Sequence, residues 1–230
     1  LSGETDADYE YLQIKGPQTF VCAKYKSTIP PQLYRGENET LSVLTLGFHD
    51  LTYPITWADG FSVEETVRRI QDSEGEFVSV LVDRRQPRIF IINDRFGSRP
   101  LYFMQKAEGV WFSSNAAFLP IWSGQKARPD PLGILQLACY GHTLTPQTHT
   151  LDMQRLFPGT CLSVTGQGLR QKAYWQLGYD IREAPNPAVY AEEVFKAFCR
   201  GVQKKVHRSP VGFISLSGGL DSRLVVGAAH

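Results

Sequence analysis

The feature that most constrains the fold of this 230-residue chain is a Gly-rich hexapeptide, Ser-Gly-Gly-Leu-Asp-Ser, at positions 217–222. An apolar run at 211–216 precedes it, and a helix-compatible segment follows it. The two glycines let backbone amides come close to a ligand, and the first turn of a helix presents further free amides at the same place. The pattern therefore predicts a buried strand over 211–216, then a loop and a helix, as in one unit of an α/β domain.

The polar residues of this hexapeptide suit a phosphate or pyrophosphate. Ser217 and Ser222 offer hydroxyl donors in addition to the backbone amides. Asp221 would oppose an anion unless it meets a divalent cation, and Mg²⁺ commonly takes one or two carboxylates together with phosphate oxygens. The Lys of a Walker A motif is missing at the matching place, which disfavours P-loop kinase chemistry.

Composition excludes several classes of protein. The 24 Lys and Arg residues nearly balance 23 Asp and Glu residues, so the net charge of +1 does not favour a nucleic-acid partner. The longest apolar runs fall short of the ~18 residues of a membrane span, and the N-terminal residues lack a signal-peptide pattern. The four cysteines are far apart and form no C-x-x-C pair. These observations predict a cytoplasmic protein without a disulfide scaffold or a zinc site.

Most of the chain shows alternating strand and turn signals. Ser62 and Glu65 have capping-box spacing and predict a helix from Val63 to about Gln71. Asp130 as a cap and Gly141 as a left-handed exit predict a second helix over 132–140. Antiparallel strands are predicted at 77–82, 88–93, 101–104, 110–113 and 161–164, with 173–175 as a later pairing segment. The arginines near the turn at 83–87 are expected only to solvate it.

A change in composition at 178–187 marks a domain boundary, where Pro and charged residues replace the strand pattern. We therefore predict domains over 1–180 and 186–230. A helix beginning at Asn186-Pro187 opens the second domain, and its apolar residues recur every four positions, which predicts packing on one face. These apolar residues are Tyr190, Val194, Phe198, Val202 and Val206.

Two segments carry a family resemblance. The hexapeptide at 217–222 resembles the SGGxDS pyrophosphate loop of ATP pyrophosphatases, which cleave ATP between its first two phosphates. The decapeptide at 94–103, Asp-Arg-Phe-Gly-Ser-Arg-Pro-Leu-Tyr-Phe, resembles the DRFGxRPLYY segment in the glutaminase half of asparagine synthetases. Gly75-Glu-Phe77, Phe112-Ser-Ser114, Phe157-Pro-Gly159 and Tyr174-Trp175 follow the order of that family. The chain thus resembles the glutamine-hydrolysing asparagine synthetase family over about 75–229.

The resemblance implies an α+β glutaminase-like domain of the N-terminal-nucleophile αββα type. The start of an α/β ATP-pyrophosphatase domain, similar to adenine nucleotide alpha hydrolases, would follow it. The implied enzyme is a carbon–nitrogen ligase that adenylylates an aspartate-like carboxylate with ATP and Mg²⁺ and then aminates it with glutamine or ammonia. The resemblance also allows a homodimer. The implied ATP-binding residues are Leu216, Ser217, Gly218, Gly219, Leu220, Asp221 and Ser222, with Asp221 near the metal.

The glutaminase part departs from the family pattern. The family nucleophile is a Cys at the mature N-terminus, whereas this sequence begins with Leu1, so the catalytic residues stay unknown. Cys22 lies in a predicted strand and is expected to be a core thiol. If the segment Thr45-Leu-Gly-Phe48 occupies the place of the family's Asn-Gly-Glu, Leu46 and Phe48 replace its polar pair. Either an upstream piece is missing or the domain is degenerate, and the 230-residue piece alone is expected to be inactive.

Three other interpretations stay open. A degenerate glutaminase domain would fit relatives similar to β-lactam synthetases and lasso-peptide cyclases, which use an internal amine in place of ammonia. A serine hydrolase is suggested by Ser215-Leu-Ser-Gly-Gly219, which departs from G-x-S-x-G at its first Gly and has only Asp221 and His230 downstream. A non-catalytic scaffold would explain a missing nucleophile.

Overall fold

The chain divides into two units, Leu1–Leu177 and Gly178–His230. The computed structural model describes residues 62–107, 109–144, 146–179, 186–206 and 214–229, the side chains of 41–47, and the backbone of 9–16, 19–26, 33–37 and 41–49. Whether the two units are the two predicted domains stays a prediction. Among the described helices, none combines the length and the apolar character that a membrane crossing requires.

The described strands of the first unit form three antiparallel sheets. Their bounds are β1 Tyr9–Gly16, β2 Thr19–Lys26, β3 Leu33–Glu37, β4 Leu41–His49, β5 Gly75–Asp83, β6 Ile89–Asn93, β7 Tyr102–Lys106, β8 Gly109–Ser113, β9 Met153–Arg155, β10 Thr160–Thr165 and β11 Gly168–Ala173. The main sheet has the order β11-β10-β6-β5-β4-β3, a second sheet has the order β8-β7-β9, and β1 pairs with β2. The helices are α1 Val63–Asp72, α2 Phe118–Trp122 and α3 Pro131–Tyr140.

Both faces of the central strands of the main sheet are buried, because alternate side chains enter different cores. In β5, Phe77 and Leu81 pack with Ile70 of α1, whereas Val78 and Val80 pack with residues of the second sheet such as Phe103. A third cluster joins Met104 and Met153 of the second sheet to Leu119 of α2. The resulting layers, helix–sheet–sheet–helix, agree with the predicted αββα arrangement.

The predicted helix ends of the first unit are confirmed. The Ser62 hydroxyl accepts a hydrogen bond from the Glu65 amide at 3.1 Å, which caps α1. The Glu65 carboxylate accepts from Arg69 Nη2 at 3.5 Å, one turn further along. At α3, the Asp130 carboxylate accepts from the Leu132 amide at 3.0 Å, and Gly141 has the left-handed φ of 75°.

The predicted pairing segment at 173–175 is confirmed only at Ala173, which pairs with Thr160. The partner of β10 is β11, which ends at Ala173, and the two strands meet at Thr165 and Gly168. Because a turn of only two residues joins β10 to β11, β11 begins at Gly168, before the predicted segment at 173–175. The amides of Tyr174 and Trp175 donate instead to the Gly159 carbonyl, at 2.8 and 3.2 Å.

The second unit contains two described helices, α4 Pro187–Val206 and α5 Leu220–Ala229. The predicted start of α4 is confirmed. Its one-sided packing is confirmed only in part: Phe198 and Val202 of the predicted face are half-buried, whereas Tyr190 is 57% exposed and no α4 residue is fully buried. α5 contacts α4. The predicted buried strand is wrong over 214–216, where the backbone is irregular and Leu216 is exposed, because the described part of this unit holds no strand to pair with it. Residues 211–213 lie outside the described residues.

The arginine expected only to solvate the β5–β6 turn makes an ion-pair network. Arg88 donates from Nε and Nη2 to Asp83 Oδ2 at 2.9 and 2.7 Å, and from Nη1 to Glu64 Oε1 of α1 at 2.9 Å. Burial of Asp83 would by itself raise the pKa of its carboxyl. The Arg85 amide, the Arg88 guanidinium and the Gln86 amide outweigh that cost and hold the pKa of Asp83 below its usual value. The network fastens α1 to the main sheet.

We expect Arg88→Ala to lower the free energy of unfolding by about 2–3 kcal/mol, because it leaves the buried Asp83 carboxylate without its cation. Since the folded-state pKa of Asp83 is depressed, its contribution is present above the ordinary value of 3.8 and is lost as the pH falls through the lower folded-state pKa. Urea unfolding followed at neutral pH and near pH ~3 should show the difference shrinking with acidification. Arg85→Ala, which keeps the backbone donor, is the control and should leave stability unchanged.

Candidate functional site

The segment after β6 is organised by a buried carboxylate. Asp94 is 1% exposed, and its Oδ1 accepts from the Phe96 amide at 3.0 Å and the Ser98 hydroxyl at 3.1 Å. Its Oδ2 accepts from the amides of Phe77 in β5 and Ser98, both at 3.1 Å. These four donors compensate the desolvation of the charge. They fix the loop at 94–100 against the main sheet.

Asn93 joins the same loop to the turn before β10. Its side-chain amide donates to the Phe157 carbonyl at 2.7 Å, and its side-chain oxygen accepts from the Thr160 amide at 2.9 Å. Its backbone carbonyl accepts from the Tyr174 hydroxyl at 2.6 Å. Burial, reinforced by the nearby Asp94 charge, raises the pKa of Tyr174, so this hydroxyl remains a donor at neutral pH. Three segments distant in sequence thus meet at Asn93.

Two glycines allow the loops to come this close. Gly97 has a φ of 60°, and an added Cβ would lie 3.2 Å from Cγ of Pro158. Gly159 has a φ of 58°, and an added Cβ would lie 2.8 Å from the carbonyl oxygen of Trp175. Both positions therefore combine a left-handed backbone with a close neighbour, which accounts for the two glycines.

The two arginines of the loop also make structural contacts. Arg95 Nη2 donates to the carbonyl of Asp72 at the C-terminal end of α1, at 3.1 Å, where a cation is favoured by the helix dipole. Arg99 Nε donates to the Glu76 carbonyl at 3.3 Å. Phe96 is 70% exposed and meets the ring of Trp175 edge to face, with centroids 5.2 Å apart. The 94–100 loop therefore connects the main sheet, the C-terminal end of α1 and the turn before β10. We call this loop and its contacts the Asp94 clamp.

The segment expected in place of Asn-Gly-Glu lies within a strand. Thr45 is buried in β4, and its hydroxyl hydrogen-bonds to the Ser79 hydroxyl of the adjacent strand at 2.8 Å. Gly47 has a φ of 102°, and a Cβ there would clash with the Glu76 carbonyl and the Arg99 side chain. The side chain of Phe48 lies outside the described residues. The described part of this segment packs with its neighbours.

The described thiols provide no activated nucleophile. Burial, only partly offset by Gln71 and Lys172, raises the pKa of the Cys161 thiol to about 11. Cys139 is exposed and Cys199 is partly exposed. Cys22 does lie in a strand as predicted, but its side chain, and with it the predicted core position, is outside the described residues. The glutaminase nucleophile stays unknown.

The predicted ATP loop precedes α5 and is held by one hydroxyl. Ser222 Oγ accepts from the amide and the hydroxyl of Ser217, both at 3.2 Å, and donates to the Gly219 carbonyl at 3.2 Å. Gly218 has a φ of 76° with open space around it. Within the described part of the chain, the amides of Gly218 and Gly219 donate to no acceptor. Both amides are thus available to an anion.

The remaining predicted site residues are also exposed. Leu216 and Leu220 are 63% and 81% exposed, and Asp221 lies in the first turn of α5. Among the described residues, no group of three or more His, Cys, Asp or Glu side chains could hold a metal alone. One carboxylate beside free amides fits a magnesium–phosphate group, in which phosphate oxygens supply other ligands. The Ser217 hydroxyl donates to Ser222 Oγ, whereas His230, the histidine of the hydrolase interpretation, lies outside the described residues.

We expect Asp94→Asn to lower the free energy of unfolding by about 3 kcal/mol, because an amide nitrogen would replace one acceptor among buried N–H donors. Urea unfolding measures the change. Asp130→Asn is the matched control: Asn caps a helix as well as Asp, so its effect should stay within about 0.5 kcal/mol. Equal effects of the two substitutions would contradict the clamp.

We expect Cys161 to resist iodoacetamide near neutral pH, since burial both shields the thiol and suppresses its thiolate. Peptide mass spectrometry after timed alkylation should find Cys161 modified only once guanidinium has unfolded the protein. Modification of the folded protein at the rate of an exposed thiol would show that this part of the core is open.

Comparison with known proteins finds a family match within the first unit. Residues 63–175 match the family model of the glutamine amidotransferase domain. One similar solved structure is the glutamine phosphoribosylpyrophosphate amidotransferase from B. subtilis complexed with ADP and GMP, at 11% identity over 91% of this chain and 49% of that chain, with a TM-score of 0.39.

Another similar structure is titled the allosteric regulatory enzyme of purine biosynthesis, at 12% identity over 89% of this chain and 46% of that chain, with a TM-score of 0.36. The chain spans about half the length of these two structures. No curated protein matches the chain. The loop at 217–222 lies outside the matched range, which runs from α1 to the aromatic pair beside the Asp94 clamp. Residues 63–175 are therefore similar to a glutamine amidotransferase domain.

Proposed function

We propose that the chain is part of an ATP-dependent amide-forming enzyme similar to asparagine synthetases, in which an aspartate-like carboxylate is activated as an acyl-adenylate and then aminated. The observation that carries the proposal is the order of two features in one chain. A segment similar to a glutamine amidotransferase domain occupies 63–175, and a loop with free amides at 217–222 leads into α5. A domain that takes nitrogen from glutamine is useful only beside a site that consumes it.

The loop has the donors that the pyrophosphate part of ATP requires. The amides of Gly218 and Gly219 and the N-terminal end of α5 would bind phosphate oxygens. Each charge-assisted hydrogen bond contributes about 1.5–3 kcal/mol. Because Ser222 already holds the two ends of the loop together, little ordering remains to oppose binding. Leu216 and Leu220 would flank the nucleotide.

Asp221 is the residue that would hold Mg²⁺. When bound, the ion would neutralise charge on the phosphates and favour loss of pyrophosphate from ATP. A hard cation with oxygen ligands matches a single carboxylate next to phosphate. Asp221 would therefore set the position of the phosphates relative to the loop amides.

The nitrogen source is glutamine if the amidotransferase domain is active, and ammonia if it is not. By resemblance, glutamine hydrolysis needs an N-terminal Cys, and no described thiol of this chain takes that role. A second candidate is a synthetase that uses an amine of its own substrate, similar to β-lactam synthetases and lasso-peptide cyclases. It is favoured by the apolar residues Leu46 and Phe48, which stand where the family's polar glutamine-binding pair is expected.

The test is pyrophosphate release by the full-length protein with MgATP and aspartate. We expect release to require aspartate and to rise with glutamine or ammonia. Asp221→Ala should slow it by about tenfold or more, which corresponds to the loss of one charge-assisted contact. Asp152→Ala is the control, because Asp152 is a surface carboxylate of the first unit paired with Lys106 and Arg128.

Each of the other outcomes would support a different function. Stimulation by ammonia but not by glutamine would support synthetase activity and argue against glutaminase activity. Pyrophosphate release that ignores both nitrogen donors would favour the second candidate. Failure to bind ATP, with no difference between the protein and Asp221→Ala, would overturn the proposal and favour a scaffold.

A further inference from the structure

Arg223 follows directly after the loop at 217–222 and is the fourth residue of α5. Its side chain is exposed, and within the described part of the chain no carboxylate forms an ion pair with it. A cation near the N-terminal end of a helix opposes the helix dipole, which acidic residues complement instead. Neither burial nor an ion pair among the described residues therefore accounts for an arginine at this position.

Helix geometry directs the Arg223 side chain towards the free amides of the loop. The Arg223 amide donates to the Gly219 carbonyl at 3.4 Å, so Gly219 lies one turn before Arg223 on the same side of α5. Long side chains of a helix lean towards its N-terminal end and cover the preceding turn. Gly219 has no side chain that would obstruct this path. The guanidinium can therefore reach an anion held by the amides of Gly218 and Gly219.

Asp221 lies on the other side of the same helix. Two residues correspond to a rotation of about 200°, so the Asp221 carboxylate and the Arg223 guanidinium do not face each other. The two charges therefore do not form a pair along the helix surface. An anion at the N-terminal end of α5 would contact the loop amides, a Mg²⁺ ion on the Asp221 side and the guanidinium on the Arg223 side.

This arrangement suits the phosphate groups of a nucleoside triphosphate. A guanidinium presents parallel N–H donors that match two phosphate oxygens. In adenylylation, a carboxylate oxygen bonds to the α-phosphorus while the bond between the α- and β-phosphates breaks, and the electron pair of that bond passes to pyrophosphate. A cation already in place beside the pyrophosphate stabilises the charge that develops there.

We propose that Arg223 is a further binding residue of the ATP loop, and that its guanidinium pairs with pyrophosphate oxygens on the side of α5 opposite Asp221. The inference rests on the proposed function for the identity of the ligand as ATP. The contact itself needs only the pyrophosphate part of the ligand, so it is measurable without the reaction.

Titration calorimetry of the full-length protein with Mg²⁺ and inorganic pyrophosphate tests the contact. We expect Arg223→Gln to weaken pyrophosphate binding by about tenfold or more, as the loss of one charge-assisted contact would. Arg223→Lys should bind with intermediate affinity, because an ammonium keeps the charge but lacks the planar pair of donors. Arg85→Gln is the matched control, since it removes an equal charge from an exposed turn residue of the first unit and should leave the affinity unchanged.

The melting temperature separates a binding role of Arg223 from a structural one. Because Arg223 opposes the helix dipole, Arg223→Gln should keep or raise the melting temperature while it weakens pyrophosphate binding. A melting temperature that falls together with the affinity would indicate a structural role and overturn the inference. Full pyrophosphate affinity in Arg223→Lys would overturn pairing through the guanidinium.

Aspartate-dependent release of pyrophosphate from MgATP, measured in parallel, reports the proposed function separately. Release by the unaltered protein, together with equal pyrophosphate affinities of the unaltered protein and Arg223→Gln, would overturn the inference and support the function. Pyrophosphate binding that depends on Arg223, without release from ATP, would overturn the function and support the contact. Failure of the unaltered protein to bind pyrophosphate would overturn the inference whether or not release occurs.

Discussion

The first unit depends on one buried carboxylate, Asp94. Its side chain accepts hydrogen bonds from four donors, and its backbone makes others with Phe77, Gly97 and Gly159. A buried charge without hydrogen-bond partners would be strongly destabilising. The fold therefore depends on the positions of the backbone amides that donate to Asp94. Hydrogen bonds consequently connect the loop at 94–100, the start of β5 and the turn before β10.

Local rules predicted the parts of the fold that depend on neighbouring residues. The Ser62 and Asp130 caps, the exit at Gly141 and the β5–β6 hairpin follow from side chains or turn residues within a few positions. The strand that pairs with β10 was predicted too far along the chain, because a turn of two residues carries little sequence signal when the strand that follows it is polar. The alternation that buries both faces of β5 was also not anticipated, since a continuous apolar run does not state which face meets which partner.

The candidate site divides in the same way. The order of polar residues at 217–222 predicted a loop with free amides, because glycines and hydroxyls act locally. Three other features depend on contacts between distant segments. Arg88 reaches α1 from a hairpin, Asn93 bridges a turn that is remote in sequence, and burial sets the pKa of Cys161. No pattern within a short window specifies such contacts, so they required the structure.

β11, one of the two described edge strands of the main sheet, affects how the molecule contacts other molecules. β11 has mostly exposed side chains and carries Arg170 and Lys172, while its far side faces no other strand among the described residues. Cationic side chains on an edge strand repel the same strand of a second molecule and thereby disfavour edge-to-edge aggregation. Contacts with other molecules are therefore disfavoured at the unpaired backbone of β11 and favoured at surfaces formed by side chains.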